Sequence, residues 1–128
     1  MDDGDPFDLD AAVVRADAAG LTTDVEVLAV KLEGALPDAT VVRRRRTRMF
    51  GGEKVVEAVE VVLGDSRFSL QVQDGRVRAA QATEVRGVVI KRAEVGLDAW
   101  LRGLAAELAE QARTSAQART ALQDLVGP

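Results

Sequence analysis

Two hydrophobic periods divide the chain. Apolar side chains recur at helical spacing up to Leu36, alternate singly from Thr40 to about residue 92, and return to helical spacing from Leu97. In the first stretch, Asp8 or Asp10 is placed to cap a helix over LDAAVVRADAA, and Gly20 suits its left-handed end. A second start follows at Thr23, with Glu26 three residues on as a capping box, and Pro37 stops it. Val25, Leu28, Ala29 and Leu32 share one side, leaving Glu26, Lys31 and Glu33 outside. The pattern predicts two short helices or one helix broken at Gly20.

The alternating region predicts strands. VVRRRRTRMF and EKVVEAVEVVLG flank Gly51-Gly52, while RFSLQVQ and RVRAAQA flank Asp74-Gly75, and both glycine pairs suit two-residue hairpin turns. Gly64-Asp65 makes a third turn, and VRGVVIKR adds a strand or continues the previous one past a bend at Gly87. A meander of four or five antiparallel strands results.

From Asp98, the expected N-cap, to Leu125 the pattern predicts a helix of roughly 28 residues, about 42 Å long. A strand of seven residues covers about 23 Å, so this helix outruns its sheet. Leu97, Leu101, Leu104 and Leu108 form a stripe, Glu110 to Arg119 offers alanine alone, and Leu122, Leu125 and Val126 then reappear. Either the helix breaks near Thr114-Ser115 and folds back, or its distal leucines bind something other than their own sheet. Trp100, beside the leucine stripe, is expected to be the largest core side chain.

Composition narrows the chemistry. With 47% apolar but 3% aromatic residues, the core is thin, because Ala and Val each bury less area than Leu or Phe. There is no His, Cys or Tyr, which removes the usual base near neutral pH, thiolate chemistry and the soft metal ligands. Ser66, Ser69 and Ser115 have no histidine to activate them, and MFGGEK lacks phosphate-loop spacing. Asp2, Asp3, Asp5, Asp8 and Asp10 are crowded but miss the calcium-loop pattern, and Glu107 and Glu110 read as a solvated helix face. No catalytic, cofactor-binding or metal-ligating residue is assigned, no cofactor is implied, and an enzyme is not expected. The acidic opening and the lack of a long apolar run predict a cytoplasmic protein without membrane contact. An Arg-to-Lys ratio of 14 to 3 suggests a GC-rich bacterial genome.

Charge is unevenly placed. Residues 1–40 carry ten acidic and two basic side chains, and residues 41–92 carry six acidic and twelve basic ones. Five arginines, Arg43, Arg44, Arg45, Arg46 and Arg48, crowd one strand. A turn at Gly51-Gly52 sets Phe50 opposite Glu53, Arg46 opposite Glu57 and Arg43 opposite Glu60, two favourable cross-strand pairs. Arg44, Arg45 and Arg48 then face Val59, Ala58 and Val55. Val59 and Val61 share the core face with Leu70 and Phe68, and Arg44 and Arg48 lie at its margin. The strand also blunts a sheet edge.

The fold class expected is α+β: N-terminal helices, a four- to five-stranded antiparallel β-meander and a long C-terminal helix packed on one face. Residues 1–6 are expected as a disordered acidic lead, and 7–128 as a single domain. This order of elements is similar in outline to the YbaB-type nucleoid-associated proteins, which are small bacterial dimers that bind DNA. The similarity covers layout alone, no motif matches residue by residue, and this chain adds an N-terminal helix and at least one strand. The expected function is a non-catalytic protein-association module, homodimeric or with a protein partner, using Arg43, Arg44, Arg45, Arg46, Arg48, Leu122 and Leu125. The alternative is a small nucleic-acid-binding protein that uses the arginine-rich strand.

Overall fold

The computed structural model describes residues 24–48 and 51–126. The expected acidic lead, the helix of residues 8–20 and the capping residue Thr23 lie outside them. The described chain is α+β, with helix α1 at residues 24–35 followed by a five-stranded antiparallel sheet in the order β1-β2-β3-β4-β5. The strands are β1 (Thr40–Arg48), β2 (Gly51–Leu63), β3 (Ser66–Gln73), β4 (Arg76–Val85) and β5 (Val88–Val95). Two helices close the chain, α2 (Leu97–Gln111) and α3 (Ala116–Val126).

Local chemistry accounts for most of these boundaries. Asp74 (φ 53°) and Gly75 (φ 74°) both adopt left-handed backbone, as the tightest hairpin turns require, and Arg86 with Gly87 repeats the pattern between β4 and β5. β5 is therefore a separate strand. The helices share one face of the sheet. Val25, Ala29 and Leu32 of α1 and Trp100, Leu104 and Leu108 of α2 are buried with Val59, Val61, Phe68 and Leu70. The pairs Val59↔Leu70 and Val61↔Phe68 confirm the expected core face. Trp100 is fully buried and meets Phe68 edge to face at 6.0 Å between ring centres, with its indole N–H unpaired among the described residues. It fills the core by size and shape. Gly103 faces the Gln81 side-chain amide, which a Cβ at this position would displace. That amide donates to the Ala99 carbonyl at 3.1 Å.

Two expectations about the C-terminal region are corrected. Gly96, not Asp98, is the N-cap of α2, while Asp98 lies in the first turn, where its charge suits the helix dipole. In place of one long helix there are two, separated at residues 112–115, which is the alternative of a break near Thr114-Ser115. Ser115 Oγ accepts the Ala118 N–H at 3.2 Å and caps α3, and Arg119 donates to the Ala112 carbonyl at 3.1 Å. At about 22 Å, α2 matches the length of the strands it covers. Past that point a straight helix would have met no sheet. Folding back buries Ala118 and Ala121, and Leu122 and Leu125 half-bury against the same core.

Leu104→Ala removes a fully buried side chain at the centre of this layer. It is expected to lower stability by about 3 kcal/mol, measured by urea denaturation followed through the fluorescence of Trp100.

Candidate interaction surfaces

The arginine strand is half of a protruding ribbon. The β1–β2 ladder runs from Thr40↔Val61 to Arg48↔Gly51, whereas β3 pairs with β2 along Ala58–Leu63 alone. Residues 51–57 of β2, with Arg44–Arg48 across from them, continue past the β2–β3 ladder for about 23 Å. The register slips at the ribbon's base. Arg43 pairs with Ala58 and Arg44 with Val56, so Glu57 is an extra residue, a β-bulge. The cause is burial. Strict alternation from Val59 would turn Glu57 into the helix layer, where an unpaired carboxylate is expensive to desolvate. The bulge leaves Glu57 exposed and buries Val56 in its place.

The expected register is also wrong, because Arg48 pairs with Gly51 and the ladder does not close around Gly51-Gly52. Arg46 faces Lys54 rather than Glu57, and Arg43 faces Ala58 rather than Glu60. Arg44, Arg45 and Arg48 face Val56, Val55 and Gly51 instead of Val59, Ala58 and Val55. Gly51 and Gly52 are not the turn but the first residues of β2, with φ of 111° and 88°. Phe50 lies outside the described residues.

Helix α1 braces the ribbon where it leaves the sheet. Val56 lies past the end of the β2–β3 ladder, and Glu26 Oε2 accepts its N–H at 2.7 Å. Arg44 donates from both terminal nitrogens to Glu33, at 2.6 and 3.0 Å. Those hydrogen bonds, with the nearby Arg44 charge, hold the Glu33 carboxyl below its ordinary pKa against the opposing effect of desolvation. Arg44 thus sits at the core margin, as expected, and is taken up by the fold.

The other four arginines make no ion pair among the described residues. Alternation puts Arg43 and Arg45 on the side of the ribbon away from the helices, and Arg46 with Lys54 on the other. Like charges directly opposite one another, as Arg46 and Lys54 are, disfavour the isolated sheet. The bulge also separates the ribbon from β3, opening a cleft of about 490 Å³ lined by Arg43, Arg45, Glu57, Gln71, Gln73 and Asp74.

Leu122 and Leu125 are not gathered with the arginines. They pack against the chain's own core, which removes the reason for expecting a partner there. Of the two carboxylates one turn apart on α2, Glu107 accepts from Ser66 Oγ at 3.1 Å and Glu110 stands 3.9 Å from Arg113. No described helix is long and apolar enough to cross a membrane.

A second surface lies on β5. The seven residues from Val88 to Glu94 in β5 are all exposed, and Val88, Val89 and Ile90 are 62%, 52% and 66% exposed. An apolar run with neither large residues nor a clear period resembles an ordinary buried strand, so exposure was not legible in it. Compared with family models, curated proteins and solved structures, the chain matches none.

Glu33→Gln tests the brace. Both partners are partly exposed, so the loss at neutral pH is expected to stay under about 1 kcal/mol. The folded carboxyl titrates lower than the unfolded one, so its contribution is complete above the unfolded value and lost as pH falls through the folded value. Thermal melts of both forms are expected to differ near neutrality and to converge in acid.

Proposed function

We propose that this chain is a non-catalytic binding module whose working surface is the β1–β2 ribbon, and that the ribbon takes a polyanion, with duplex nucleic acid as the best fit. The observation that carries the reading is the Arg46–Lys54 opposition on the helix-facing side of the ribbon, where Arg48 follows on the same strand and the ribbon itself supplies no carboxylate. A fold that needed these side chains for itself would pair them with carboxylates, as it does Arg44 with Glu33. The major groove admits a two-stranded ribbon, and a phosphate wall there would meet Arg46, Arg48 and Lys54 together. Single strands fit less well, because both aromatic side chains of the described residues, Phe68 and Trp100, are in the core and offer no stacking surface.

The acidic net charge is a weak objection. The first 23 residues hold six acidic and one basic side chain, and the rest of the chain holds fifteen acidic and sixteen basic ones. A second reading, association with an acidic protein segment, draws support from the cleft, where the amides of Gln71 and Gln73 beside Arg43 and Arg45 suit a peptide backbone.

Fluorescence anisotropy with a labelled DNA duplex tests the proposal. With four or five phosphate contacts, the logarithm of the binding constant should fall against that of salt with a slope of about −4. The Arg45→Glu, Arg46→Glu double variant should abolish binding while keeping the wild-type circular dichroism. No binding by the wild type at low salt overturns the nucleic-acid reading.

A further inference from the structure

We infer that β5 is an interface strand and that its occupant is β5 of a second copy of this chain. β5 is an edge of the sheet, held by its ladder with β4. From Val88 to Glu94 its side chains are exposed on both faces, and the main contacts of α2 with the sheet are to β3 and β4. Three consecutive β-branched aliphatic residues, each more than half exposed, stand at its start. Scattered exposed valines are ordinary on any surface, but a contiguous apolar group on a free edge is what natural sheets avoid.

The charges of β5 say which strand fits. Lys91, Arg92 and Glu94 guard the edge against arbitrary strands, yet they complement their own copy in one antiparallel register. With Ala93 on the two-fold axis, Arg92 of each copy stands opposite Glu94 of the other. The pairing then repeats outside the fold the Arg78–Glu94 contact of 2.8 Å made within it. In the same register Lys91 falls opposite Val95, and Val88, Val89 and Ile90 run past the end of the partner strand toward the start of its α2. The aliphatic group thereby reaches the first turns of α2, where Leu97 and Leu101 are half-buried.

Such an interface is isologous and uses up both β5 edges. The remaining edge, β1, carries the five arginines, and two such edges repel each other. The assembly therefore closes at two copies. This inference is independent of the ribbon's partner.

Sedimentation equilibrium and a cysteine cross-link test it together. The wild type is expected at twice 13.6 kDa in the high micromolar range. Val89→Asp with Ile90→Asp is expected to give a monomer with unchanged circular dichroism, since these side chains bury little in the single copy. The chain has no cysteine, so Ala93→Cys supplies one thiol on the proposed axis. Directly opposed residues of an antiparallel pair lie within disulfide range, and the variant should oxidise to a linked dimer. A wild type that stays monomeric, a dimer indifferent to the aspartates, or an unlinked Ala93→Cys dimer each overturns the inference.

Discussion

The contact between the leucine face of α2 and the centre of the sheet is the one on which the rest of the molecule depends. Trp100, Leu104 and Leu108 meet Phe68, Leu70, Val59 and Val61 in a chain otherwise short of large apolar side chains. With so little bulk available, one layer of helices covers one face of the sheet and stops. Among the described residues the other face and the β5 edge go uncovered for the same reason. The break in the C-terminal helix follows from it as well, because the alanine-rich second half gains more by returning to this core than by running past it.

The same shortage explains the bulge. Val56 is worth burying and Glu57 is not, and inserting one residue into the ladder is the cheapest way to exchange them. The exchange reaches well beyond two residues. It moves every arginine after Arg43 to a different partner, turns the ribbon away from β3, and leaves α1 to brace it. Glu26 and Glu33 do this with one hydrogen bond to backbone and one bidentate ion pair. Arg44 becomes part of the scaffold, and the cationic groups around it stay available to a partner.

The two proposed surfaces lie on opposite edges of one sheet. Pairing at β5 would join two sheets into one and carry the two ribbons to its far ends. Charge on β1 and aliphatic surface on β5 then have complementary uses, the first resisting strand addition and the second inviting it from a copy of matching charge.

What the sequence by itself determined was local. The strand-like pattern from Thr40 to about residue 92, the Asp74-Gly75 turn, the shared face of Val25, Leu28, Ala29 and Leu32, and the core position of Trp100 depend on neighbours a few residues away. The absence of His, Cys and Tyr narrowed the available chemistry without any fold. Tertiary structure decided where distant segments compete for one core. Gly51-Gly52 looked like a turn because a two-residue glycine pair usually is one, but the register answers to burial of Val56 under α1, some 30 residues away in the chain. Whether Leu122 and Leu125 sought a partner depended on whether a helix could bend at Ser115 and find alanine-sized space beneath it. Exposure of Val88, Val89 and Ile90 was invisible for the converse reason, since a strand's own side chains do not record how far a helix from the next segment will reach across the sheet.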